Sequence, residues 1–174
     1  MAEDGLADSF VLAAVRGDPS DGGRWEVYPL PTALLGDVDH LIAALRQQQG
    51  AGGAIGLVDV ADEFFVVVRV IPPDGVRLLL SDATAATEFD LARQVYERIA
   101  GAPVEGADAE LADVDEVWPA GDLGIFTDLG FGAMELGAIL CDLDLYADEM
   151  LADIAARLGF QGAYEAALDG VSSR

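Results

Sequence analysis

The stretch FFVVVRV, Phe64 to Val70, is apolar at every position but one, and SFVLAAV, Ser9 to Val15, is nearly as apolar. A strand points successive side chains to opposite faces of its sheet, so an unbroken run of aromatic and β-branched residues has no polar face to offer water. Both faces of that sheet must be covered, and helices are the ordinary cover. An open antiparallel sheet with one wet face is excluded.

The flanking segments fill in the order of elements. RWEVYPL (Arg24 to Leu30) alternates as a second strand, and the turn-rich GDPSDGG before it makes a hairpin with the first. Asp37 is placed to cap a helix over VDHLIAALRQQQ, where Val38, Leu41, Ile42 and Leu45 recur at helical spacing, and Gly50 to Gly53 ends it. AIGLVDV (Ala54 to Val60), EFFVVVRVI (Glu63 to Ile71) and GVRLLLSD (Gly75 to Asp82) come next as three strands. They are separated by a short acidic turn at Ala61 and Asp62 and by PPDG, spacing that suits antiparallel neighbours. A second helix is predicted from about Ala85 to Ala100, with Phe89, Ala92, Val95, Tyr96 and Ile99 on one face and Gly101 closing it.

The expected fold is therefore α+β: an antiparallel sheet in the order β-β-α-β-β-β-α with helices on both faces, followed by a small C-terminal helical region. Longin and roadblock-like domains share this element order and serve mainly as protein-binding platforms, an analogy of topology alone. The 174 residues suit one domain, or one with a small appendage, since single cores span about 100–200 residues. Residues 1–101 read as the sheet domain. Residues 102–117, dense in carboxylates and short of bulky apolar side chains, read as an acidic linker, and 118–174 as the helical region.

Charge narrows the function. Thirty-two acidic side chains stand against nine basic ones, all arginine, for a formal net charge of −23. Phosphate backbones are bound mainly through Lys and Arg, so direct nucleic-acid binding is not expected, and anionic membranes are repelled by the same field. The N-terminus MAEDGLADSF has no basic segment followed by an apolar one, and no apolar run approaches the roughly 20 residues of a membrane span. One cysteine, Cys141, and one histidine, His40, exclude an internal disulfide and Cys/His metal clusters. The expected address is cytoplasmic.

Three stretches and two single residues invite a chemical reading. FTDLGFGAMELGAIL (Phe126 to Leu140) aligns with a phosphopantetheine site through Asp128, Leu129 and Gly130, but Gly132 stands where the second acid belongs and Ala133 where the serine hydroxyl is required. The arm has nothing to attach to. LGFGAMELGAIL (Leu129 to Leu140) and LGFQGAYEAAL (Leu158 to Leu168) form a near-repeat, in which Gly130 and Gly159 are placed as left-handed helix terminators and Phe131 and Phe160 fold back on the preceding turn. In DLDLYADE, the carboxylates Asp142, Asp144, Asp148 and Glu149 lack the spacing of a calcium loop, and Asp148 and Glu149 suit the first turn of a helix. GAGGAIG (Gly50 to Gly56) precedes a strand and lacks a lysine or hydroxyl partner, so it serves as a turn and not as a phosphate loop. His40 has no nucleophile motif to join, and Cys141 lies in an acidic, leucine-rich setting that discourages the thiolate. No catalytic residue, metal ligand or cofactor site is assigned.

DEVWPAGDLGIFTDLG (Asp115 to Gly130), the Glu135-Leu136 pair and DLDLYADEMLADIAARLGF (Asp142 to Phe160) together resemble the tRNA adenosine deaminase-associated proteins of high-GC bacteria. RWEVYPLP, LIAALRQQ, GGAIGLVDVADEFFVVVRV and RLLLSDATAA fit the same resemblance, which covers most of the chain outside the first eight residues and Ala102 to Ala112. The resemblance implies association with a tRNA adenosine deaminase. It does not imply deamination, whose zinc mechanism needs His-x-Glu and Pro-Cys-x-x-Cys: His40 is followed by Leu41 and Ile42, and one cysteine cannot make the pair.

Charge and resemblance join in one expectation: a non-catalytic, strongly acidic accessory or regulatory protein drawn to the positive surface of a tRNA-binding enzyme. The contact residues expected are Glu110, Asp113, Asp115 and Glu116, with Trp118 as an anchor, and Asp142, Asp144 and Asp148. Two alternatives stay open: a sheet domain that binds a protein or small ligand unrelated to tRNA modification, for which an apolar cleft with few acidic neighbours is the signature, and an enzyme site formed by carboxylates that primary spacing does not reveal, for which convergent acids with raised pKa values in a pocket are the signature.

Overall fold

In the computed structural model, which describes residues 8–48, 50, 52–101 and 118–172, six strands form one antiparallel sheet. They are β1 (Phe10–Arg16), β2 (Trp25–Leu30), β3 (Ala54–Val60), β4 (Phe64–Ile71), β5 (Gly75–Leu80) and the two-residue β6 (Ala120–Gly121), in the spatial order β2-β1-β3-β4-β5-β6. The helices are α1 (Val38–Arg46), α2 (Asp90–Ala100), α3 (Ala133–Leu140), α4 (Ala147–Leu158) and α5 (Gln161–Ser172). The fold is α+β with the expected order of elements. The acidic stretch 102–117 lies outside the described residues.

Both faces of the sheet are buried, for the reason FFVVVRV demanded. One face carries Val11, Ala13, Val58, Val66 and Val68 and packs under Leu41 and Leu45 of α1 and Leu91, Ala92 and Val95 of α2. The other carries Phe10, Leu12, Leu57, Phe65 and Val67 and packs under Leu136, Leu151, Ile154 and Tyr164 of the C-terminal helices and Phe160 between the last two. The α3–α5 layer is therefore docked on the sheet.

Register sets which side chains share a row. Phe10 lies opposite Asp59, which lies opposite Phe65, and Ala14 opposite Ile55, which lies opposite Arg69. One buried acid and one buried base thus sit on the same face, two rows apart along β3, both facing α3–α5. Asp59 is 1% exposed and Arg69 4%.

Asp37 caps α1 as expected, its carboxylate accepting from the Asp39 and His40 N–H groups. The second helix begins later than its periodicity suggested. Residues Ala83–Thr87 form a 3-10 turn, capped where Asp82 Oδ1 accepts from Thr84 N at 2.9 Å. Phe89 is extended and packs its ring 5.0 Å from Phe64, so α2 starts only at Asp90. A local cap and an aromatic contact outweigh helical periodicity over five residues.

The near-repeat acts as helix punctuation. Gly130 and Gly159 are left-handed, at φ 88° and 95°. Phe131 N–H donates to Phe126 O and Phe160 N–H to Ala155 O, which folds both rings into the core.

Candidate functional site

β3 and β4 are joined by the two-residue turn at Ala61 and Asp62, both left-handed (φ 54° and 58°), with Glu63 N–H donating to Val60 O. A turn with positive φ at both central positions matches the twist of the strands, but an alanine there is strained. Side chains hold the turn in place: Ser9 Oγ accepts from Ala61 N, and Asp59 Oδ1 accepts from Asp62 N, each at 2.8 Å. Asp62 Oδ1 in turn accepts from Asp148 N, at the first turn of α4, at 3.2 Å. Two buried side chains thus anchor the turn, and the turn caps a helix.

Across from it runs the loop between α3 and α4. Asp142 Oδ1 accepts from Asp144 N at 3.1 Å, and Glu149 accepts from Tyr146 N at 2.9 Å to open α4. The loop presents Leu143, 82% exposed, and Tyr146, 67% exposed. Between turn and loop lies a cleft of about 380 Å³, with Leu140, Leu145 and Met150 in its wall beside Leu143 and Tyr146. Its other lining includes the carboxylates of Asp62, Glu63, Asp82 and Asp142, and no basic side chain.

The carboxylates around the turn feel one another. Burial pushes the Asp59 carboxyl up to about 7; the Asp62 N–H opposes that rise, and the charges of Asp62, Asp148 and Asp8 add to it. Asp148 is raised as well, first by burial and then by Asp62. Asp59 does not line the cleft. Its part in the cleft is to hold the turn through the Asp62 N–H.

Of the residues expected to make contacts, Asp142 lines the cleft, Asp144 is tied to it by its backbone, and Asp148 stands behind Asp62. Trp118 is elsewhere: it packs against the α1/α2 core, and its carbonyl accepts from Ala83 N at 2.8 Å. Glu110, Asp113, Asp115 and Glu116 lie outside the described residues. Sequence reasoning passed over Leu143, Tyr146, Asp62 and Asp82. The signal for the first two was present in DLDLY, where leucine and tyrosine are set between acids in a loop. Asp62 and Asp82 come from turns, and only the tertiary fold brings them there.

Residues 9–161 match the profile of the Rv3753c-like tRNA adenosine deaminase-associated proteins. This chain belongs to that family. Protein Rv3753c of Mycobacterium tuberculosis (strain ATCC 25618 / H37Rv) is 43% identical over 162 residues, covering 93% of this chain and 88% of the relative. The family match takes in the sheet, α3, α4 and every residue of the cleft. No solved structure matches the chain. Among the described residues, no helix is long and apolar enough to cross a membrane.

Proposed function

We propose that this member of the tRNA adenosine deaminase-associated family is a non-catalytic, acidic accessory or regulatory protein that acts in the cytoplasm by docking on a tRNA adenosine deaminase. The observation that carries this reading is the cleft, which sets exposed Leu143 and Tyr146 among four carboxylates with no basic group in its walls. An enzyme that holds tRNA presents positive surface to phosphate. A molecule of net charge −23 is drawn to such a surface, and apolar contact then slows its departure. An apolar cleft with few acidic neighbours would favour the unrelated-ligand alternative; the cleft at Leu143 and Tyr146 is lined by four acidic residues, whereas a second of about 320 Å³, lined by Leu45, Val70, Ile71, Pro72 and Pro73 beside Arg46, has none.

Calorimetric titration into the tRNA adenosine deaminase of the same genome, at low and moderate salt and with tRNA present or absent, tests the reading. Saturable binding that weakens with salt is expected. Displacement by tRNA would assign the contact to the RNA face, whereas indifference to tRNA would assign it to another surface. No binding at micromolar concentrations removes the proposal.

A further inference from the structure

We propose that the cleft seats a basic side chain of a partner protein, arginine or lysine, whose apolar neighbour packs on Leu143 and Tyr146. This rests on the docking reading and specifies the occupant. Of the large apolar side chains exposed among the described residues, Leu143 and Tyr146 are the two that share one cleft; Tyr28 and Met134 do not line it. Side chains this exposed and adjacent are the usual centre of a contact surface, especially when a polar rim surrounds them.

The rim fixes the charge of the occupant. Asp62, Asp82 and Asp142 each accept a backbone N–H through Oδ1, and a carboxylate so engaged can still accept charge-assisted bonds from a guanidinium or ammonium group. Asp62 also bears on Asp148 behind the rim, whose proton affinity is raised first by burial and then by repulsion from that charge. A cation relieves that repulsion and an anion aggravates it. The volume, about 380 Å³, falls in the range of sites that enclose a small group, roughly 300–1,000 Å³.

A fluorescently labelled synthetic peptide carrying Leu-Arg pairs in a Gly-Ser background is the probe, followed by anisotropy at moderate salt. Binding by the wild-type protein is expected to weaken at least about tenfold in Leu143→Ser/Tyr146→Ser, which keeps every charge, and likewise in Asp62→Asn/Asp142→Asn. Exchanging leucine for serine in the peptide should have the same effect. Equal affinity for wild type and Leu143→Ser/Tyr146→Ser would mean that the peptide is held by net charge alone, and the inference fails. Titrating the same double variant against the deaminase separates the two readings. Undiminished deaminase binding overturns the cleft while the docking reading stands. Peptide binding at the cleft without deaminase binding supports the cleft and removes the named partner.

Discussion

Arg69 on β4 donates from both terminal nitrogens to the two oxygens of Asp128, and from Nη1 also to Ile125 O at 2.7 Å. The guanidinium is buried on the sheet, and the carboxylate stands on the turn that precedes α3. This fork ties the C-terminal layer to one end of the sheet, as the Asp62 to Asp148 bond ties it to the other. Between the two lies the shared apolar core of Phe65, Val67, Leu136 and Leu151.

Asp128→Asn leaves that buried guanidinium without its counter-charge. Solvent reaches the carboxylate, whose side chain is 56% exposed, so the loss falls below that of a fully buried pair, at about 1–2 kcal/mol in urea unfolding. Asp122→Asn breaks the half-exposed pair with Arg77 and costs under about 0.5 kcal/mol. The hydrogen bonds from Arg69 hold the Asp128 carboxyl below its usual range. Its contribution is therefore present at neutral pH and vanishes as pH falls through that lowered value. Equal losses in the two variants would show that Arg69 is satisfied without Asp128.

Asp59→Asn should stabilise the protein at neutral pH. The folded carboxyl titrates near 7, above its ordinary 3.8, so its contribution is fully present below about pH 4 and is lost as pH rises through 7. The variant keeps an oxygen for Asp62 N and removes the buried charge facing Asp8, Asp62, Asp148 and Tyr164. The expected gain is on the order of 2 kcal/mol near pH 8, since solvent near the turn screens part of the penalty, and close to zero near pH 4. Chemical denaturation at both pH values checks it, and a gain that does not grow with pH would contradict the assignment.

Tyr164 is 1% exposed and packs its ring 6.3 Å from Phe10, edge to face. Its hydroxyl donates to Asp148 O at 3.3 Å, a long bond. Packing should therefore outweigh the hydroxyl: Tyr164→Phe costs under about 1 kcal/mol, and Tyr164→Ala about 3–5 kcal/mol through the cavity it leaves. Thermal and urea unfolding of both variants gives the comparison.

Two backbone positions should respond with opposite signs. Gly53 has φ 87°, and a Cβ there would lie 1.8 Å from Val70 O. Gly53→Ala should cost about 3 kcal/mol or more, or prevent folding, because backbone must move where the chain enters β3 beside the end of β4. Ala61 is left-handed where glycine is at ease, so Ala61→Gly should gain about 1 kcal/mol. A loss at Ala61 on urea unfolding would mean that the turn is not strained.

The sequence by itself determined β1 to β5 and the burial of the central strands on both faces. FFVVVRV cannot leave a face in water, Asp37 must cap the helix it precedes, and Gly159 must end α4, because these are demands of a few neighbouring residues on local geometry. It missed the start of α2, where Asp82 and Phe89 override periodicity, and it missed β6, two residues too short to carry a pattern. It matched Asp128 to a carrier motif, while the fold uses that carboxylate to hold Arg69, 59 positions away. The acids of DLDLYADE were legible as a surface, but not the cleft they help to form. Its walls come from two turns and a loop, with Asp62 bonded to Asp148 across 86 residues. Such contacts are fixed by strand register and by the docking of α3–α5 on the sheet, and the energy that decides them belongs to no single stretch of chain.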